Sequence, residues 1–213
     1  MSQTASCFST RRQMLVALAL LSQVAAAPKA PVVTVLGDSI TAGLGLPARD
    51  AMPAQLQAAL RRRGIVATVR AAGVSGDTSG GGLARVGFSV APDTTVCVVA
   101  LGGNDLLQGQ DPKTTRANLE RIIRRLRARH ITVVLAGLRA PPEIGQSYAR
   151  DFNAVFAGLA RTYRIALYPD LLAGVARRPG LMQGDGIHPN AQGVKIIAAG
   201  LAPLVARAMA ARP

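Results

Sequence analysis

A chain of 213 residues, 49% of them apolar, can bury one full core and contains nothing that calls for a second domain. Its formal charge of +14 comes with only 3% aromatic residues and no recognition motif, which speaks against a nucleic-acid reader and leaves weak attraction to anionic lipid surfaces as the expected effect of the charge. Two histidines far apart in the chain and two cysteines, one of them near the start, offer no ligand cluster, so no metal and no organic cofactor are expected.

Arg11 and Arg12 stand before an apolar run at 14–21, which is followed by Ser22-Gln23 and small residues at 24–27. That is the pattern of an export signal over 1–27, too short to span a bilayer, with cleavage expected after Ala26 or Ala27. The stretch Thr10-Arg11-Arg12-Gln13-Met14-Leu15 also resembles a twin-arginine signal, so both export routes stay open. The expectation is a periplasmic or secreted monomer with a single domain over 28–213. Cys7 precedes the apolar run, where a lipid-anchoring cysteine would have to follow it, and Cys97 is left as one buried thiol without a disulfide partner.

Short apolar, β-branched runs at 32–36, 66–69, 94–101, 131–138 and 165–168 predict five strands buried on both faces. Helical patterns fall between and after them at 52–63, 82–90, 113–129, 147–163 and 191–209, the last containing Pro203. This alternation predicts an α/β fold, a five-stranded parallel sheet covered by helices on both sides. Ligands of such sheets sit beyond the carboxyl ends of the strands. Three polar islands fall there: Gly37-Asp38-Ser39-Ile40-Thr41, Ser75-Gly76-Asp77-Thr78-Ser79 and Gly102-Gly103-Asn104-Asp105. A fourth, Asp185-Gly186-Ile187-His188-Pro189, opens the last helix.

His130 lies between a helix and strand four, at the amino end of the sheet, which leaves His188 as the base. Asp185, three residues earlier, can turn back to accept the Nδ1 proton and so free Nε2 for a serine. Ser39, on the turn leaving strand one, is then the nucleophile of an acyl-enzyme mechanism. The charge that develops on the substrate carbonyl needs fixed neutral donors, which the backbones of Ser39 and Gly76 and the side-chain amide of Asn104 can supply from neighbouring strand ends. Taken singly, Ser39 reads as a helix cap and Gly76 and Asn104 as turn residues; their joint placement argues for catalysis. Asp38, Asp77 and Asp105 read as supports of loop geometry.

The four islands together resemble the SGNH hydrolases, also called the GDSL esterase and lipase family, which carry Ser, Gly, Asn and His in this order. The likeness runs from Val32 to the last helix. Ser75-Gly76-Asp77-Thr78-Ser79 and Gly81-Gly82-Leu83-Ala84-Arg85 are similar to the exported acyl-CoA thioesterase I, arylesterase and lysophospholipase branch. The resemblance implies a flavodoxin-like three-layer α/β/α sandwich, a Ser39, Asp185, His188 triad with Gly76 and Asn104 as oxyanion donors, and hydrolysis of small acyl, aryl or lysophospholipid esters or thioesters without a cofactor. Three positions depart from the branch: Ala71 where Asn is usual, Leu106 where a small residue is common, and Glu143 in place of Asn. They bear on acyl preference rather than on the mechanism.

Leu106, Leu107, Pro142, Ile144 and Ile187 are the candidates for lining an acyl groove, with core or loop packing an equally good account of each. A carbohydrate O-acetyl esterase with the same triad is the competing enzyme. A flavodoxin-like binding module, in which Asp38 would matter and Ser39 would not, is the non-enzymatic alternative, but it leaves Asn104, Asp185 and His188 unexplained. An α/β-hydrolase needs a Gly-x-Ser-x-Gly elbow, which the chain lacks. Gly43-Leu44-Gly45 lacks the third glycine of a dinucleotide site.

Overall fold

The computed structural model describes residues 30–211; the expected export signal at 1–27, with Cys7, lies outside them. In chain order the elements are β1 (Val32–Gly37), α1 (Ser39–Ala42), α2 (Met52–Arg62), β2 (Thr68–Gly73), α3 (Ser79–Ser89), β3 (Val96–Ala100), α4 (Gly103–Leu107), α5 (Pro112–Arg127), β4 (Thr132–Ala136), α6 (Gln146–Tyr163), β5 (Ala166–Tyr168) and α7 (Ala191–Ala210). The strands form one sheet in the order β2-β1-β3-β4-β5, every pair parallel. Val33 of β1 sits opposite Val69 of β2 on one side and Val96 of β3 on the other.

The helices α2 and α7 pack on each other against one face, and α3, α5 and α6 against the other, which makes the expected three layers. The three inner strands β1, β3 and β4 carry apolar side chains almost without alternation because both of their faces are covered. On α5, Leu119, Ile122, Ile123 and Leu126 form a helical stripe that is fully buried, each contributing about 1.5–3 kcal/mol of burial. By length and apolarity α7 is a helix that would cross a membrane, yet its Val194, Ile197, Leu201 and Val205 stripe is buried within the domain. Pro203 is tolerated inside it because the carbonyl it leaves without a donor, that of Ala199, is on the exposed side.

All strands point one way and the helices return antiparallel to them, so helix C-termini gather at the amino end of the sheet. The last turns of α2, α5, α6 and α7 carry Arg61 and Arg62, then Arg124, Arg125 and Arg127, then Arg161, then Arg207. Cations there oppose the negative ends of the helix dipoles.

Three local differences from the sequence reading have physical causes. The second strand runs Thr68–Gly73 rather than 66–69. It is a half-exposed edge strand, and Arg70, Ala71, Ala72 and Gly73 carry no β-branched signal; parallel pairing with β1 as far as Gly37↔Gly73 is what makes them a strand. α3 begins at Ser79, before the predicted 82, because the Thr78 hydroxyl accepts the Gly81 amide and caps a glycine-rich turn that is a poor helix former by propensity. α1 and α4 are single turns, too short for hydrophobic periodicity to register.

Candidate active site

The strand order reverses between β1 and β3, and the crevice beyond their carboxyl ends is where an open α/β sheet holds its ligand. β1 ends in Gly37, where a Cβ would collide with the Thr41 side chain and crowd the Ala100 carbonyl, so only glycine allows this tight exit. Asp38 follows, buried, and its Oδ1 accepts the Ile40 amide at 3.0 Å, which caps α1 and makes Ser39 the first helical residue. Burial pushes the Asp38 carboxyl up to about 6, against the opposing pull of the Ile40 amide and the nearby His188.

Ser39 Oγ lies 2.8 Å from His188 Nε2. The histidine is carried by a narrow loop before α7, closed by an antiparallel bridge between Met182 and Pro189 and by the Gln183 amide donating to the His188 carbonyl at 2.8 Å. Gly186, at φ +68, makes the reversal. Asp185 Oδ1 accepts the amides of Ile187 at 2.9 Å and His188 at 3.0 Å, while Oδ2 is 2.6 Å from His188 Nδ1. The His188 amide, its ring and then the Ile187 amide hold the Asp185 carboxyl down to about 2. An ionised carboxylate can only accept, so Nδ1 carries the proton and Nε2 is left to accept from the Ser39 hydroxyl.

Asn104 stands in the first turn of α4, just past β3. Its Nδ2 donates to the Asp77 carbonyl at 2.8 Å, which fixes the plane of the amide and leaves its second N–H for a ligand. Gly76 is exposed at φ +84, in a turn closed by the Asp77 amide on the Val74 carbonyl at 3.1 Å. No atom crowds its missing Cβ, so the backbone conformation, not space, is what asks for glycine. Asp105 is fully buried and accepts from the Ser79 amide and hydroxyl and from the Thr115 hydroxyl, tying α4 to α3 and α5.

Above these groups opens a cleft of about 260 Å³, with Ser39, Gly76, Asn104 and His188 at its floor and Leu106, Leu107 and Ile187 on its walls. Pro142 and Ile144, also predicted to line it, lie outside: the Asn153 amide of α6 brackets the Ala140 backbone on both sides, at 2.8 and 3.2 Å, and draws the chain after Arg139 away. Sequence reasoning missed Ile40, Leu44, Leu138, Arg139 and Leu172 as wall residues. Ile40 and Leu44 had a usable signal in their spacing on the turn after Ser39; Leu172 belongs to no motif. A larger cleft, about 510 Å³, lies at the opposite end of the sheet beside His130, Arg127, Arg164 and Arg207 and holds no nucleophile. Among the described residues no three His, Cys, Asp or Glu side chains come together as a metal site would need.

Residues 35–196 match the GDSL-like Lipase/Acylhydrolase family. The chain is 41% identical over 174 residues to Esterase TesA of Pseudomonas aeruginosa, covering 81% of this chain and 85% of that one. It is 36% identical over 182 residues to Thioesterase 1/protease 1/lysophospholipase L1 of Escherichia coli K12, covering 85% of each. Among solved structures, the crystal structure of TesA superposes with a TM-score of 0.78 at 36% identity, covering 83% of this chain and 99% of that one. AlinE4, an SGNH-hydrolase family esterase, gives 0.72 at 42%, covering 86% and 99%.

Proposed function

Because the chain belongs to the GDSL-like lipase/acylhydrolase family, as an ester and thioester hydrolase, we propose that it cleaves acyl, aryl or lysophospholipid esters through an acyl-enzyme on Ser39. In this reading Ser39 Oγ attacks the acyl carbon while His188 Nε2 takes its proton, and Asp185 holds the ring and balances the imidazolium that forms. The amides of Ser39 and Gly76 and the Asn104 side chain stabilise the oxyanion, a contribution of about 100- to 1,000-fold in rate for each such donor. His188 then returns the proton to the leaving group, and a water activated by the same Nε2 releases the acid.

The observation that carries this reading is the unbroken relay of 2.8 Å from Ser39 to His188 and 2.6 Å on to Asp185 beneath an open cleft. The leucine and isoleucine walls support acyl or aryl groups over a carbohydrate. The Arg11-Arg12 pair and the apolar run behind it support export to the periplasm or beyond.

The test is turnover of p-nitrophenyl esters from acetyl to palmitoyl by the wild type and by Ser39→Ala. Serine-dependent hydrolysis of medium or long chains is expected. Acetyl-only activity would move the assignment to a carbohydrate deacetylase, and full activity in Ser39→Ala would end it.

A further inference from the structure

Arg85, in the second turn of α3, is 8% exposed, far less than an arginine without an internal task. Its guanidinium spends its donors in three directions. Nη2 donates to the Gly37 carbonyl at 2.8 Å, Nη1 to the Ala72 carbonyl at 2.8 Å and to Ser89 Oγ at 3.3 Å, and Nε to Asp77 Oδ2. Gly37 is the last residue of β1, two before the nucleophile. Ala72 lies at the end of β2. Asp77 follows Gly76 and presents the carbonyl that holds Asn104.

One planar group therefore spans the exits of β1 and β2 and the loop that carries Gly76. That loop is also held by the Val74 amide on the Gly37 carbonyl at 3.1 Å, by the Asp77 amide on the Val74 carbonyl and by the Asn104 side chain on the Asp77 carbonyl. None of these three bonds involves a residue of α3. Among the described residues, without Arg85 the Asp77 carboxylate has no cation in contact and the Gly37 carbonyl no side-chain donor.

Resting on the reading of Ser39 as nucleophile, we infer that Arg85 is a positioning residue that sets the separation between Ser39 and the oxyanion donors at Gly76 and Asn104. It touches no reacting atom. Its effect is on transition-state geometry, where a misplacement of about 1 Å can cost about 100-fold. Lysine cannot replace it, because a single ammonium nitrogen cannot occupy the three ends of the fork.

The experiment compares Arg85→Lys and Asp77→Asn with the wild type on p-nitrophenyl butyrate, at a temperature well below each variant's measured Tm. Arg85→Lys is expected to lose roughly 10- to 100-fold in kcat, with KM within about twofold. Asp77→Asn keeps the backbone carbonyl for Asn104 and the fold, and is expected to lose kcat in the same direction by a smaller factor. It carries the test if Arg85→Lys does not fold. A wild-type kcat in either folded variant, or a loss that tracks the unfolded fraction and vanishes on cooling, overturns the inference. Ser39→Ala is measured alongside: its inactivity with a fully active Arg85→Lys would sink the positioning role alone, whereas an active Ser39→Ala would sink the mechanism under both.

Discussion

Two carboxylates flank the Ser39–His188 pair, and their surroundings push them in opposite directions. Asp185 is half exposed and held down to about 2 by amides and ring, so it stays an anion at any pH at which the enzyme works. Asp38 is buried and held up at about 6 against its ordinary 3.8. Between pH about 4 and 6 the folded chain keeps a proton on Asp38 that the unfolded chain has lost. Stability therefore falls as pH rises through that window and levels off above it, by a total of about 3 kcal/mol. Asp38→Asn keeps an oxygen for the Ile40 amide and carries no charge, so in thermal denaturation its Tm should match the wild type near pH 4 and exceed it at pH 7. An equal difference at both values would show that burial of the charge is not what is felt. Ser39, Gly76, Asn104, Asp185 and His188 could be proposed from the sequence because their joint placement, at three strand ends and before the last helix, argues for a site that none of them indicates singly. The cleft walls were legible in part: Leu106, Leu107 and Ile187 adjoin the polar islands, whereas Leu172 belongs to no motif and meets the cleft only when the chain is folded.

At the scale of elements, His188 is placed by the start of α7. Asn190 Oδ1 accepts the Gln192 and Gly193 amides at 3.0 Å each, and its Nδ2 reaches back to the Gly180 carbonyl at 3.0 Å, so one side chain caps the helix and closes the loop that presents His188. Asn190→Ala should lower stability by about 1 kcal/mol in urea unfolding. It should also reduce kcat on p-nitrophenyl butyrate, since the loop loses its clasp; unchanged kcat with lowered stability would confine Asn190 to capping. Elements with strong periodicity, the inner strands and α2, α5, α6 and α7, were legible within a residue or two. The edge strand β2 and the one-turn helices α1 and α4 were not, because β2 is made a strand by pairing with β1, distant in sequence, and a single turn is too short to show a period.

For the whole molecule, the layered core makes Cys97 a reporter. It sits in β3, the central strand, with no exposure, and burial pushes its thiol up to about 12. A thiolate is the reactive species, so with Cys7 replaced by Ser the native protein should be silent to Ellman's reagent at pH 8 and react only as fast as it unfolds globally. Prompt labelling of the folded protein would mean that the sheet opens locally. The gathering of arginine-bearing helix C-termini at the amino end of the sheet, with the cleft at the carboxyl end, gives the molecule a built-in polarity. On a sulfonated resin or another anionic support it would adsorb with that end down, and immobilisation would leave the mouth of the cleft turned toward the bulk solution, where substrate arrives.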